Sequence, residues 1–271
     1  MLGGIRDLPN ALAANDGLLE AMGGRRPAVF LDYDGVLTPI VDRPEDAHIS
    51  ASMRDAVRRL ARRVTVCVVS GRDRPVVQDL MGIDDLVVAG SHGFDIWSPE
   101  AGTLEHEASS GSEDLVERVT ARLRQEVDGV EGALIEPKRF SVAVHYRLVA
   151  AEGRERIGQV VDALLAERPD ELKMTPGKMV YELQPKLEWD KGKAVLYLID
   201  TLGLDLAEVV PLYLGDDHTD EHAFCALLGG KGIGIFVGDA DDPELDGRTT
   251  AADYVLDSTE EVERFLDRLA R

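Results

Sequence analysis

The sequence predicts an α/β protein: a three-layer core of parallel strands with helices on both faces, interrupted by a smaller α+β module. Three observations predict it. Short apolar runs such as Ala28-Val29-Phe30-Leu31 alternate with stretches whose apolar residues recur at helical spacing. Those runs are continuous rather than alternating, as in strands covered on both faces. The middle of the chain breaks that habit. Ser141-Val142-Ala143-Val144-His145-Tyr146 alternates, which suits a sheet with one open face.

In order, Ala28–Leu31 is a strand ending at Asp32. Residues 51–62 place Met53, Ala56, Val57 and Leu60 on one helical face, with Ser50 positioned as a cap. Val64–Val69 and Leu86–Ala89 read as the next strands. The module follows. Residues 112–128 carry Leu115, Val116, Val119, Leu123 and Val127 on one helical face. Ala133–Glu136 and Phe140–Tyr146 are strands, 153–166 a helix, and 171–174 and 179–183 strands. The core then resumes. Lys193–Leu202 is a helix with Gly203 as its stop, Val209–Leu214 a strand and Asp220–Leu228 a helix. Ile233–Val237 and Tyr254–Leu256 complete the strands. The expected division is core over 1–105, module over 106–184 and core again over 185–271, with junctions in 98–111 and Gln184–Asp190.

The chain has 271 residues, ample for one core plus a satellite domain. Its 51 acids against 30 bases give a formal charge of -21. That field repels nucleic acid and anionic membranes, so neither is an expected partner. No apolar run reaches the length of about 18 residues that a membrane helix needs. The N-terminal MLGGIRDLPNALAAND does not read as a secretion signal. Two cysteines, Cys67 and Cys225, lie in apolar contexts and read as reduced core residues, which fits a cytoplasmic compartment. The excess acid is also compatible with a saline habitat. Of seven lysines, Lys138, Lys173, Lys178, Lys186, Lys191 and Lys193 fall between 138 and 193. They either solubilise one face or correct the negative field where an anion binds.

The chemistry is carried by charged residues at strand ends, where open α/β sheets bind ligands. In FLDYDGVLTPI, Asp32 ends a strand and Asp34 follows two residues on. The pair can divide phosphoryl transfer, Asp32 attacking phosphorus while Asp34 exchanges protons with the leaving alcohol and then with water. A bare turn is the competing reading. Ser70, in VVSGR, can bond a phosphoryl oxygen or cap the next helix. Arg72 can meet an anion or pair with an acid. In YLGDDHTDEHAF, Asp216, Asp217 and Asp220 crowd together. Helix-dipole stabilisation accounts for Asp220 and Glu221 better than for Asp216 and Asp217.

Carboxylates converging on Asp32 and Asp34 need a cation, and Mg²⁺ suits few protein oxygens plus phosphate and water. Asp32, Asp216 and the Asp34 carbonyl are the expected ligands, with Asp217 and Asp220 orienting them or their waters. His218 and His222 raise zinc as an alternative, which the oxygen-rich set disfavours. Lys191, in WDKGKA, opens a helix and can neutralise charge at phosphorus, or simply solubilise.

These motifs resemble the haloacid-dehalogenase superfamily, and within it the trehalose-6-phosphate phosphatases. The resemblance runs from LPNAL through FLDYDGVLTPI, VVSGR, GSHGFDIW, FSVAVHYR, GKMVYELQP, WDKGKA and GDDHTDEHAF. It implies a Rossmannoid core with a C2B-type cap and a sugar phosphate as small-molecule substrate. The roles implied are Asp32 as nucleophile, Asp34 as acid/base, Ser70 on the phosphate, Lys191 as the family lysine and Asp216, Asp217 and Asp220 as the acidic metal element. It implies substrate contacts from His92, Gly93, Lys138, Arg139, His145, Arg147, Lys178 and Glu182. His145 and Arg147 could instead decorate the open face of a strand. Cap closure would shield the phosphoenzyme from water. A monomer with a functional link to a trehalose-phosphate synthase is the expected context. Val36 departs from the threonine common in the DxDGT element, while Thr38 remains. The alternatives are a phosphatase for glucosylglycerol phosphate or sucrose phosphate, a phosphomutase, or a non-catalytic sugar-phosphate sensor.

Overall fold

The computed structural model describes residues 3–105, 112–240 and 242–271. It contains two compact units, Met1–Leu104 with Asp190–Arg271, and Glu105–Trp189. The expected start of the module at residue 106, and the stretch 106–111 of the expected linker, lie outside the described residues.

The first unit opens with β1 (Gly3–Gly4), α1 (Asn15–Met22), β2 (Arg26–Leu31), α2 (Ala51–Ala61), β3 (Val66–Val69), α3 (Arg74–Met81), β4 (Val87–Gly90), β5 (Asp95–Ser98) and β6 (Gly102–Glu105). The second holds α4 (Ser112–Val127), β7 (Leu134–Pro137), β8 (Val142–His145), α5 (Ala151–Glu167), β9 (Leu172–Gly177) and β10 (Val180–Pro185). The first then resumes with α6 (Lys191–Thr201), β11 (Val209–Gly215), α7 (His218–Leu227), β12 (Ile233–Val237), β13 (Thr249–Thr250), β14 (Tyr254–Leu256) and α8 (Thr259–Leu269).

The main sheet has eight strands in the order β14-β12-β11-β2-β3-β4-β5-β6. Pairing is parallel from β14 to β4, and the middle strands are buried from Ala28 in β2 and Val210 in β11 to their carboxyl ends because helices cover both faces. On one face Val29, Leu31, Val68, Leu212 and Leu214 pack with Met53, Val57 and Leu60 of α2 and Val262, Phe265 and Leu266 of α8. Burying each such side chain is worth about 1.5–3 kcal/mol. On the other face Tyr213 of β11 meets Phe224 of α7 edge-on, with ring centroids 5.7 Å apart.

The expectation of a purely parallel sheet is corrected: β5 runs antiparallel to β4, so the sheet is mixed. A parallel partner needs a crossover of a dozen residues or more, and only four separate these strands. Ser91 and His92, at φ of 50° and 57°, turn the chain back at once. Two helix starts also move. α6 begins at Lys191, as the reading of WDKGKA expects and two residues ahead of the Lys193–Leu202 range, because the Asp190 side chain caps it, accepting from the Lys193 amide. α7 begins at His218 rather than Asp220, with Asp217 and Asp220 forming a reciprocal capping box. Cys67 is buried as expected, whereas Cys225 is exposed on α7.

In the second unit the sheet order is β7-β8-β10-β9, with all pairings antiparallel. Val142, Val144 and Leu183 pack against Leu115, Val119 and Leu123 of α4 and Ile157, Val161 and Leu164 of α5. Alternation sends the neighbouring residues Ala143, His145 and Glu182 to the opposite face. β10 runs through Pro185, and the unit extends to Trp189.

Candidate active site

Three parallel strands deliver the core residues. Asp32 follows β2, Ser70 follows β3 and Asp216 follows β11, so all three stand at the carboxyl edge of the sheet. Asp32 is nearly buried, and its amide donates to the Leu214 carbonyl of β11 at 3.0 Å, which pins it beside the GDD turn. Carboxylate oxygens of Asp32, Asp216 and Asp220 lie within 4.8 Å of one another.

Lys191 enters this cluster from the first turn of α6. Its ammonium donates to Asp32 Oδ2 at 2.6 Å and to Asp220 Oδ1 at 2.7 Å, with 3% of the residue exposed. Solubility therefore does not explain this lysine. Burial opposes its charge, yet Asp220 and Asp32 outweigh burial and hold the ammonium above the usual lysine range. Burial pushes the Asp32 carboxyl well up; Lys191 opposes this, and Asp220 and Asp216 push further.

The carboxylates differ in what they still offer. Asp220 Oδ1 accepts from Lys191 and from the Tyr213 hydroxyl at 2.6 Å, while Oδ2 accepts from the amides of Asp216 and Asp217, each at 3.0 Å. Four donors occupy all four lone-pair directions of one carboxylate. Asp220 thus anchors Lys191 and the GDD turn, although it lies within the cluster. Burial raises its carboxyl, but Lys191 and Tyr213 overcome that and hold it below the usual range. Asp217 caps α7. The other two carboxylates of the cluster, which face Asp220 across it, belong to Asp32 and Asp216. Gly35 gives them room: a Cβ there would strike the Asp216 carboxylate, and its φ of 76° suits only glycine well. This all-oxygen set, with a cradle that a side chain would fill, fits Mg²⁺. His218 and His222 are exposed and outside the cluster.

Asp34 is held separately. Arg72 grips it through both oxygens, Nε to Oδ2 and Nη2 to Oδ1, each at 2.7 Å. Ser70 is fully buried and accepts the Arg72 amide on its hydroxyl at 3.1 Å. It is not the cap of α3, since Asp73 holds that position. His92 is mostly buried, and its amide donates to the Ser70 carbonyl at 2.8 Å. Its ring leaves no space for a Cβ at Gly71, tying the SHG turn to the SGR loop. Val36 is fully buried in the apolar core, and the Gly35 amide closes the turn on the Thr38 carbonyl at 2.8 Å. The turn therefore forms without a hydroxyl at position 36.

The sequence profile of the family described as Trehalose-phosphatase matches residues 30–259. The chain belongs to the trehalose-phosphatase family. The trehalose-phosphate phosphatase of Mycobacterium tuberculosis strain H37Rv is 41% identical over 266 residues, covering 97% of this chain and 66% of that protein. The trehalose 6-phosphate phosphatase RA3 of Zea mays is 39% identical, covering 97% of this chain and 74% of the relative. This chain thus spans just under two thirds of the mycobacterial protein's length. Among solved structures, the C-terminal domain of Candida albicans trehalose-6-phosphate phosphatase superposes with a TM-score of 0.82 at 23% identity, over 97% of this chain and 98% of that one. The architecture is accordingly a haloacid-dehalogenase-like α/β fold with a mixed sheet and an inserted cap.

Within the cap of this trehalose-phosphatase family member, Glu182 is buried, and its Oε1 accepts from Lys138 at 3.0 Å and from the Ser141 hydroxyl at 2.6 Å. His145 Nε2 lies 2.7 Å from Glu136 Oε2 on the adjoining strand. Lys178 is exposed, its carbonyl accepting from Arg147 at 3.0 Å. Arg139 turns elsewhere, to Glu113 of α4 at 2.7 Å and over the Phe140 ring. Sequence reasoning did not single out Tyr213, Ser141 or Glu136, and left Arg72 without a role. Only strand alternation could have flagged Tyr213, and alternation cannot reveal the hydroxyl's partner.

Among the described residues, no helix is long and apolar enough to cross a membrane.

Proposed function

We propose that this chain is a magnesium-dependent phosphatase that hydrolyses trehalose 6-phosphate to trehalose and phosphate through an aspartyl-phosphate on Asp32. The observation that carries the reading is the meeting of a buried strand-end carboxylate, a buried ammonium 2.6 Å from it and a second carboxylate, Asp216, in one all-oxygen cluster. The names of relatives 39–41% identical over 97% of the chain support the substrate.

In this reading Asp32 attacks phosphorus and the ester P–O bond breaks. The ester oxygen keeps that electron pair and takes a proton from Asp34. Water then attacks the aspartyl-phosphate, Asp34 takes its proton, and the P–O bond to Asp32 breaks to release phosphate and restore the carboxylate. Ser70 holds a phosphoryl oxygen. Lys191 offsets the charge that spreads over the phosphoryl group in the transition state. Asp32, Asp216 and the Asp34 carbonyl would hold Mg²⁺, which when bound supplies charge neutralisation and orients the phosphate. Asp217 and Asp220 fix the turn that presents Asp216.

The proposed substrate contacts are Lys138, Arg139, His145, Arg147, Lys178 and Glu182 of the cap and, in the core, His92 and Gly93. Support for Glu182 is its preorganisation: Lys138 and Ser141 both donate to its Oε1 and fix the carboxylate on its strand. We assign the cap to the C2B type, on its four antiparallel strands covered by two helices on one face. Two free thiols fit a reducing, cytoplasmic compartment. A functional link to a trehalose-phosphate synthase follows from the proposed substrate.

A panel of sugar phosphates tests the substrate. Trehalose 6-phosphate should give the highest kcat/KM; a clear excess for sucrose phosphate or glucosylglycerol phosphate would overturn the assignment.

A further inference from the structure

The fork between Arg72 and Asp34 is built differently from the surface ion pairs of this chain. Arg72 is anchored on three sides before it reaches Asp34. Its Nη1 donates to the Pro44 carbonyl at 2.9 Å, its guanidinium sits 5.5 Å from the Tyr33 ring centroid, and its amide is held by the Ser70 hydroxyl. Tyr33 is in turn fixed, its hydroxyl donating to the Ala47 carbonyl at 2.9 Å. The Arg72 side chain is 10% exposed and the Asp34 side chain 34%. The rigid, buried partner is therefore the arginine, and the accessible end is the carboxylate. A planar guanidinium bonded through two arms fixes both the distance and the rotation of a carboxylate, which an ammonium cannot do.

We propose that Arg72 is the positioning residue for proton transfer: its anchored fork fixes the rotation of the Asp34 carboxylate beside the ester oxygen, and it acts on the reaction only through that carboxylate. This rests on the phosphatase reading above. Asp34 gives its proton to the departing oxygen as the P–O bond breaks, and the value of that proton depends on the leaving group. An alkoxide from a sugar is a poor leaving group and needs it; a nitrophenolate leaves without it. A residue that acts through Asp34 must share this dependence. A residue that merely holds the loop together must not.

The test is kcat/KM, which includes steps only through phosphoryl transfer to Asp32, measured with Mg²⁺ on trehalose 6-phosphate and on p-nitrophenyl phosphate. Wild type, Arg72→Met, Arg72→Lys, Asp34→Asn and the Arg72→Met/Asp34→Asn double variant are compared. Arg72→Met should lose about 30-fold or more on the sugar ester beyond its loss on the aryl ester, a part of the roughly 10²–10⁴-fold that a general acid contributes. Arg72→Lys, which keeps the charge without the fork, should recover only part of that excess. In the Asp34→Asn background, Arg72→Met should cost less than about threefold further. Equal losses on both esters, or full additivity with Asp34→Asn, would overturn the inference while leaving the phosphatase reading intact. A wild-type chain that cleaves neither ester would overturn that reading and this inference with it.

Discussion

Lys191 and Asp32 are separated by 159 positions in sequence and by 2.6 Å in space. The contact joins the first turn of α6 to the end of β2, and Asp220 completes it from the other side at 2.7 Å. Two buried carboxylates share one buried ammonium, which leaves the group short of positive charge.

Replacing Lys191 by Met removes the one buried cation between Asp32 and Asp220. Breaking a buried pair from one side costs about 3–5 kcal/mol. Urea denaturation without Mg²⁺ should show that loss, and kcat should fall about 10²–10³-fold. A variant as stable as wild type would contradict the arrangement.

Metal binding should stabilise the fold, and its pH dependence has a definite sign. The Asp32 carboxyl lies above the usual range through burial and the neighbouring Asp220 and Asp216, with Lys191 opposing. A group raised on folding contributes stability at low pH and loses it as pH rises through the folded value. Without metal, this group therefore favours the fold increasingly as pH falls. With Mg²⁺, protons compete with the ion, so the metal's contribution shrinks over the same interval. The rise in Tm on adding Mg²⁺ should be large near neutrality, diminish on acidification and vanish in Asp216→Asn. A rise independent of pH would contradict this.

Gly35→Ala tests the cradle. The new Cβ would collide with the Asp216 carboxylate in a backbone conformation unfavourable to alanine. Activity titrated with Mg²⁺ should require about 10–100-fold more metal. An unchanged midpoint would mean that Asp216 is not a ligand.

Glu182→Ala should raise KM for trehalose 6-phosphate about 10-fold or more, as expected for losing a charged hydrogen bond, and affect p-nitrophenyl phosphate little. Equal effects on both would remove Glu182 from sugar recognition.

Much of this was legible in the sequence because the site is assembled from strand ends. A continuous apolar run announces a buried parallel strand, and a charged residue at its carboxyl end announces the crevice. That logic located Asp32, Ser70 and Asp216 directly. The edge of the sheet was not legible: Asp95–Ser98 is too short and mixed to read as a strand, and its antiparallel course depends on the unusual backbone of Ser91 and His92. The same limit applied to Asp220. The acids of GDDHTDEH do not reveal that Asp220 is consumed by Lys191, Tyr213 and two amides, because the donors come from α6, β11 and the turn that precedes α7. The grip of Arg72 on Asp34 was invisible for a similar reason, as it spans 38 positions.

The most direct test is rapid quenching of enzyme mixed with Mg²⁺ and trehalose 6-phosphate labelled at phosphorus. Label should appear transiently in an acid-stable, hydroxylamine-labile form, map by peptide sequencing to Asp32, and be absent from Asp32→Asn, which should also lose turnover. Hydrolysis at the wild-type rate in Asp32→Asn, or label carried on any other residue, would contradict the account.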